Sequence, residues 1–249
     1  MDIIVCVKRV PATDTQVKVA PDGTSLDPAG VEFVLNPYDE FAVEEALKTR
    51  EAKGGTVTAI TLGPAEAQKE LRTCLAMGAD KAILIKTGDR VHDGYSTAEI
   101  LVAQIKQLPH DLVFCGRQAV DGDNSQAAPR IAALLGWPCV TDVTELALEG
   151  DAYVAHRDIE GGREVVRCPL PAVISTNKGL NEPRYASLKG IMAAKKKPLE
   201  EVEAADVAPA TAVVSLSLPP ARPEGRIVEG GADAVAALVD AIKNEAKVL

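Results

Sequence analysis

The chain has 249 residues, 47% of them hydrophobic but only 3% aromatic, and a formal net charge of −9. That length and apolar content support a sizeable core of aliphatic side chains, as in a parallel sheet packed between helices, and exclude disorder throughout. The negative balance excludes a general nucleic-acid binder, because the lysine triplet at 195–197 is too short to supply the positive surface that phosphate backbones need.

The first apolar run, IIVCV at 3–7, reads as a buried strand. A helix is predicted over 37–50, where Phe41, Ala42, Glu45, Ala46 and Arg50 recur at steps of three and four and Val43 and Leu47 add a second apolar row. Asn36 suits its N-cap and Pro37 its first position. Asp39 and Glu40 fall in the first turn, where carboxylates meet the positive end of the dipole. Gly54 and Gly55 stop it. Further strands are predicted at 56–62 (TVTAITL), 81–86 (KAILIK), 111–115 (DLVFC) and 171–176 (PAVIST), with helices over about 65–77, 96–107 and 125–135 between them. Fourfold alternation of strand and helix predicts a doubly wound, mostly parallel α/β sheet of Rossmann-like type. Ligands in such sheets lie beyond the carboxyl ends of the strands, so the junctions 6–10, 62–64 and 115–126 are the places to look.

Between 141 and 168 the pattern changes to short alternating stretches with turn signals at 149–151 and 160–162, which predict antiparallel strands at the margin of the sheet. From 195 to 225 the chain is rich in Pro, Ala, Glu and Lys, with prolines at 198, 209, 219, 220 and 223, and cannot form a core of its own. An amphipathic helix over 232–245 follows. The organisation expected is an α/β nucleotide-binding domain over 1–194 and a C-terminal arm with a helix over 195–249, the arm being either a disordered tail or a strap over a partner subunit.

Five cysteines lack CxxC spacing and three histidines (92, 110 and 156) are scattered, which gives neither a disulfide framework nor a metal-ligand pattern. No run reaches membrane-spanning length and the start of the chain lacks a signal-peptide pattern, so a cytoplasmic, reducing location is expected.

The segment GRQAVDGDNSQAAPR at 116–130 carries the most chemistry. Pro129 must lie within the first turn of the fourth helix, which puts the start near Ser125 or Gln126 and leaves the amides of 126–128 without helical partners at the sheet edge. Free amides and a helix dipole make an anion site. Arg117 adds positive charge, while Gly116 and Gly122 allow close backbone approach or positive φ. Asp121 and Asp123 would repel a phosphate, so at least one should bond a ribose hydroxyl, a backbone amide or Arg117. An ordinary strand-to-helix turn capped by Asp123 or Ser125 is the competing reading, since neither GxGxxG nor GxxxxGK[ST] is present. Cys115 stands where a nucleophile could, but a buried strand-end thiol reads as packing. Asp158 and Glu160 flank a turn and read as solvated.

VCVKRV at 5–10, LNPYDEFAVEEAL at 35–47, LRTCLAMGADKAI at 71–83, GRQAVDGD at 116–123 and NEPRYASL at 181–188 occur in the order found in the beta subunits of electron transfer flavoproteins, which the whole chain resembles. The resemblance implies an adenine-nucleotide pocket, usually holding AMP, built from Cys6, from Asn36, Pro37, Tyr38 and Asp39, from Leu62, and from Gly116, Arg117, Gln118, Ala119, Val120, Asp121, Gly122, Asp123, Asn124, Ser125, Gln126 and Ala127. It implies no catalytic residue. It implies a heterodimer with an alpha subunit that holds most of an FAD, passing electrons from flavin dehydrogenases such as acyl-CoA dehydrogenases to an electron transfer flavoprotein-quinone oxidoreductase. A recognition loop over about 181–194 would present Leu188, with Tyr185 and Ile191, to the dehydrogenase; Asp158 would lie at the subunit interface; and the arm would wrap the alpha subunit. GRQAVDGD and NPYDEFA are similar to electron-bifurcating members, in which a second FAD replaces AMP, whereas EPRYASL followed by IMAAKKK is similar to the single-flavin type. A stand-alone adenine-nucleotide hydrolase and a nucleotide-sensing module are the readings from other classes.

Overall fold

In the computed structural model, residues 1–88, 90–222 and 224–248 are described; Pro223 and Leu249, both within the expected arm, lie outside the described residues. In chain order the elements are β1 (Asp2–Cys6), β2 (Arg9–Pro11), β3 (Phe33–Leu35), α1 (Pro37–Lys53), β4 (Thr56–Gly63), α2 (Gln68–Met77), β5 (Lys81–Lys86), α3 (Gly94–Ile105), β6 (Leu112–Gly116), α4 (Ala127–Leu135), β7 (Cys139–Glu149), β8 (Ala152–Ile159), β9 (Gly162–Pro169), β10 (Ala172–Thr176), α5 (Leu188–Ala194), β11 (Leu199–Glu203) and α6 (Val235–Asp240). Nine strands form one sheet in the order β11-β5-β4-β1-β6-β10-β7-β8-β9. Pairing is parallel from β11 across to β7, with Ile4 opposite Thr58 on β4 and Val113 on β6; β7, β8 and β9 then run antiparallel at the margin.

Because side chains alternate across a strand, the aliphatic runs feed two cores. Ile3, Val5, Val57, Ala59, Leu84 and Phe114 pack on one face with Ala42, Val43, Ala46 and Leu47 of α1 and Leu71 and Leu75 of α2. Ile4, Ile60, Ile83, Ile85 and Val113 pack on the other with Leu101, Val102 and Ile105 of α3 and Ile131 of α4. This is the doubly wound α/β arrangement, with helices on both faces. The paucity of aromatics is matched by the core: only Tyr153 and Phe114 are aromatic among its largest fully buried side chains.

Several boundaries differ from expectation for local reasons. Residues 65–67 form a 3-10 turn and the second α-helix proper begins at Gln68. The third helix begins at Gly94 because the Asp93 carboxylate accepts from the Ser96 amide at 2.9 Å and caps it. The fourth begins at Ala127 rather than Ser125, which sets Pro129 at the third helical position, still within the turn that needs no amide donor. The β2–β3 hairpin, joined by a 21-residue excursion, was not expected, and neither was β11. Strand β11 pairs with β5 as a parallel edge, so the sheet extends into the segment expected to be arm, and the extended stretch starts only after Glu203. The last helix is shorter than expected, Val235–Asp240, flanked by single turns at 231–234 and 241–245.

Candidate functional site

The carboxyl ends of β1 and β6 and the first turn of α1 meet around Asp39. Its carboxylate accepts from the Lys8 amide at 2.7 Å and from Asn36 Nδ2 at 2.9 Å, and the Gly116 backbone packs against it. Burial at 5% exposure pushes its pKa up to about 7, against the opposing pull of those donors and the Lys8 charge. Asp39 lies in the first turn of α1, as expected, and is in addition a buried brace. Gly116 is required beside it: a Cβ there would overlap the Asp39 carboxylate and lie 2.7 Å from the Tyr38 carbonyl carbon.

Asn36 precedes α1 at the cap position, but its side chain caps nothing. Its Nδ2 donates to Asp39 and to the Gln118 carbonyl at 2.9 Å, and its Oδ1 accepts from the Val120 amide at 3.2 Å. It thus ties the start of α1 to the 117–126 loop. The loop braces itself further through the Ala119 carbonyl, which accepts from the Gly122 and Asp123 amides, and through Gln118, whose Nε2 donates to Asp123 at 2.7 Å and whose Oε1 accepts from Ser125 Oγ at 3.2 Å. Positive φ falls on Asp123 (49°) and Ser125 (52°), and not on Gly122, which has neither a left-handed backbone nor a close neighbour. Neither loop aspartate bonds Arg117. Asp121 takes the Lys8 ammonium at 2.7 Å, and Arg117 Nε faces Asp142 at 3.5 Å instead. Asp142 sits at φ 64° on a bulge of β7, with its amide donating to Ser175 Oγ.

Together these elements enclose a cavity of about 370 Å³ beyond the strand ends, lined by apolar and polar groups and open to solvent. Of the sequence-predicted pocket residues, Cys6, Asp39, Leu62, Gly116, Arg117, Gln118, Ala119, Gly122, Asp123, Asn124, Ser125, Gln126 and Ala127 line it. Asn36, Pro37, Tyr38, Val120 and Asp121 are not among its lining residues; Asn36 and Val120 are joined behind the wall, and Asp121 is exposed and bridged to Lys8. Among the described residues, the backbone amides of Asn124, Ser125, Gln126, Ala127 and Ala128 donate to no protein acceptor, and Pro129 has no amide to offer. These uncommitted donors at a helix N-terminus, beside an open cavity, are what an anionic group would satisfy.

The opposite wall was missed. Thr87, Arg90, His92, Asp93, Gly94 and Thr97 line it, from the junction of β5 with α3. The signal was available, because TGDRVHDG at 87–94 follows a strand that neighbours β4 and therefore opens at the same edge. His92 Nδ1 lies 3.2 Å from Ser96 Oγ, and its buried Nε2 has no partner among the described residues. Cys115 pairs in register with Cys6 on the cavity floor, and hydrogen bonding to Cys6 together with burial drives its thiol well above the ordinary range. It is a packing thiol, as its position predicted.

The electron transfer flavoprotein domain matches residues 24–207. Over the full length of both chains, the sequence is 42% identical to the electron transfer flavoprotein subunit beta of Bacillus subtilis and 40% identical to that of Bradyrhizobium diazoefficiens. The subunit beta of Bos taurus is 40% identical over 94% of this chain and 95% of its own. The chain belongs to the electron transfer flavoprotein beta-subunit family.

Segment 181–187 has no regular secondary structure, and Leu188 begins α5, with Ser187 Oγ accepting from the Gly190 amide at 3.0 Å as the cap. The expected recognition loop over about 181–194 is thus an irregular stretch followed by a helix that Leu188 begins. Tyr185 and Leu188 are 98% and 84% exposed, and Ile191 and Met192 are exposed beside them. Asp158, near the end of β8, is exposed and bridged to Arg163 at 3.1 Å. Among the described residues no helix is long and apolar enough to cross a membrane, and no cluster of side chains has the makeup of a metal site.

Proposed function

We propose that this chain is the beta subunit of a heterodimeric electron transfer flavoprotein, with an AMP bound in the strand-end cavity. The observation that carries the nucleotide is the run of five uncommitted amides from Asn124 to Ala128 at the mouth of a cavity of about 370 Å³. The amides would take the phosphate, Arg117 and Lys8 would supply positive charge at the lip, and the aliphatic floor around Leu62 would take the base. That volume is near the small end of ligand cavities, which favours a mononucleotide; a second FAD, with more than twice the atoms, would project beyond the walls.

The FAD, held mainly by the alpha subunit, supplies the electron-accepting and electron-donating chemistry. The residues of this chain bind and orient. Asp39 is buried and committed to its donors, Asp121 and Asp123 are engaged by Lys8 and Gln118, and Cys115 is a buried thiol, which leaves His92, hydrogen-bonded to Ser96 on one nitrogen only, as the lining side chain nearest to a free acid or base. This arrangement favours a carrier subunit with no turnover of its own over a nucleotide hydrolase. Donors would be flavin dehydrogenases such as acyl-CoA dehydrogenases, docking at Tyr185, Leu188 and Ile191, and the acceptor an electron transfer flavoprotein-quinone oxidoreductase. Asp158 would meet the alpha subunit, and the extended stretch after Glu203, with its exposed valines and leucines, would wrap it.

The test is to co-express the chain with its alpha subunit, precipitate the purified pair with acid and identify the released nucleotides by mass. One FAD and one AMP per pair is expected. Two FAD would establish the bifurcating type instead, and a stable, nucleotide-free monomer that does not bind the alpha subunit would end the reading.

A further inference from the structure

Tyr185 and Leu188 are large, apolar and almost fully in solvent, and the chain leading to them has no ladder or helix to fix it. Left alone, such a segment would sample many conformations, and any partner would have to order it on binding. The structure ties it to α1 chiefly through Arg184. The Arg184 amide and Nε donate to Glu44 Oε2 at 3.1 and 2.8 Å, and Nη2 donates to Glu44 Oε1 at 2.9 Å. The same guanidinium donates to both oxygens of Glu51, at 2.6 and 3.1 Å. Glu44 and Glu51 lie seven residues apart, two turns along one face of α1, so a single planar fork spans both. Next to it, Asn181 Nδ2 donates to the Phe41 carbonyl at 3.0 Å and to Glu45 Oε2 at 3.1 Å.

Core stability does not explain this arrangement. Two carboxylates on one helix face repel each other, Glu44 is buried, and a buried ion pair of this kind does little better than break even against an apolar substitute. What it does accomplish is geometric. It fixes the residue immediately before Tyr185, and four before Leu188, to a 17-residue helix whose first turn builds the cavity wall at Asp39.

We propose that Arg184, gripped by Glu44 and Glu51, is a positioning residue for electron donors: it preorganises Tyr185 and Leu188 so that the dehydrogenase meets an already ordered anchor. The inference rests on the docking role assigned above to Leu188. A lysine cannot replace the arginine fully, because an ammonium is a point donor and cannot present paired bonds to two carboxylates.

The test is steady-state reduction of the co-expressed heterodimer by an acyl-CoA dehydrogenase, with KM for the heterodimer and kcat measured separately. Four variants are compared with wild type: Glu51→Gln, which loosens the clamp without orphaning a buried charge; the double variant Arg184→Met with Glu44→Gln, which removes it and leaves only the half-exposed Glu51 carboxylate without its partner; Arg184→Lys; and Leu188→Ala. The clamp variants should raise KM by roughly tenfold, the order of the lost preorganisation of two or three side chains, with kcat, the flavin spectrum and the nucleotide content as in wild type. Arg184→Lys should fall between. A purely structural role would lower the melting temperature and leave KM in place. If Leu188→Ala raises KM and the clamp variants do not, the positioning role is overturned and docking stands. If Leu188→Ala leaves KM unchanged, the docking role itself falls, and with it this inference. A fall in kcat at unchanged KM would also overturn it, since the clamp would then act on electron transfer and not on docking.

Discussion

Gly116→Ala tests the core of the site with the smallest possible perturbation. The added methyl would overlap the Asp39 carboxylate and stand 2.7 and 2.8 Å from backbone atoms of Tyr38 and Asp39, none of which belongs to a flexible side-chain end that could swing away. Overpacking of a closed site costs about 1–3 kcal/mol, and displacing Asp39 from one of its donors adds about 1 kcal/mol. The sum, ~3 kcal/mol, corresponds to a fall in melting temperature of about 6–12 °C for a chain of this size. Gly122→Ala is the matched control: its new methyl would lie 3.4 Å from Asn124 Nδ2, an ordinary contact, and its backbone is not left-handed, so its stability should change by less than about 0.5 kcal/mol. The assay is thermal denaturation of each heterodimer followed by circular dichroism, with released nucleotide measured in parallel. Gly116→Ala should melt well below Gly122→Ala and carry less nucleotide. If the two variants melt within about 2 °C of each other, the close approach of β6 to α1 does not hold this wall together, and the account of Asp39 as its hub is wrong.

Asp39 also carries a pH signature. Its folded pKa of about 7 lies above the ordinary 3.8, so the folded state holds a proton that the unfolded state has released, and its contribution to stability is present below about pH 4 and lost as the pH rises through 7. Comparing wild type with Asp39→Asn from pH 4 to 8 by chemical denaturation should isolate a decline of up to ~4 kcal/mol that the variant lacks; a wild-type slope no steeper than the variant's would refute the buried carboxylate. At Ser125, held at φ 52°, a glycine should leave stability and nucleotide content nearly unchanged, whereas valine, β-branched in a left-handed conformation, should cost about 2 kcal/mol and weaken retention. Equal behaviour of the two would place the loop in another conformation. Tyr153→Phe removes the hydroxyl that meets Thr49 Oγ1 at 3.0 Å between β8 and α1. The cost should be about 1 kcal/mol because Thr49 can turn to its own helix, and Thr49→Val combined with it should not be additive, as a double-mutant cycle of melting temperatures will read.

The parts of this fold that could be read from sequence are those where one physical signal dominates. KAILIK at 81–86 is bounded and buried on both faces, and its expected limits coincide with β5. The unread parts are those where signals conflict. LEEVE at 199–203 lies at a sheet edge with only Leu199 and Val202 half-buried and follows Pro198, so its composition resembles a linker until β5 supplies its partner. RVP and FVL, at 9–11 and 33–35, are too short to show a period, and only pairing across the intervening excursion makes them strands.

The candidate site divides along the same line. That the strand ends form its floor follows from topology alone, and the uncommitted amides follow from where a proline can sit in a helix. What Asn36 and Arg117 do does not follow from local rules. Asn36 has every local reason to cap α1, yet a cap satisfies one amide, while bridging Asp39, Gln118 and Val120 satisfies three polar groups in and around a partly buried wall. Arg117 has two aspartates within six residues, yet it turns to Asp142, which a bulge on a strand far along the chain presents to it. In both cases a side chain with a good local partner is claimed by a distant one, because closing the cavity wall removes local groups from water and the tertiary bonds are the ones that must then be made. The same reasoning explains why the β5–α3 wall was missed: nothing in TGDRVHDG is chemically unusual, and it becomes a wall only because β5 stands two strands from β1 with its carboxyl end at the same edge.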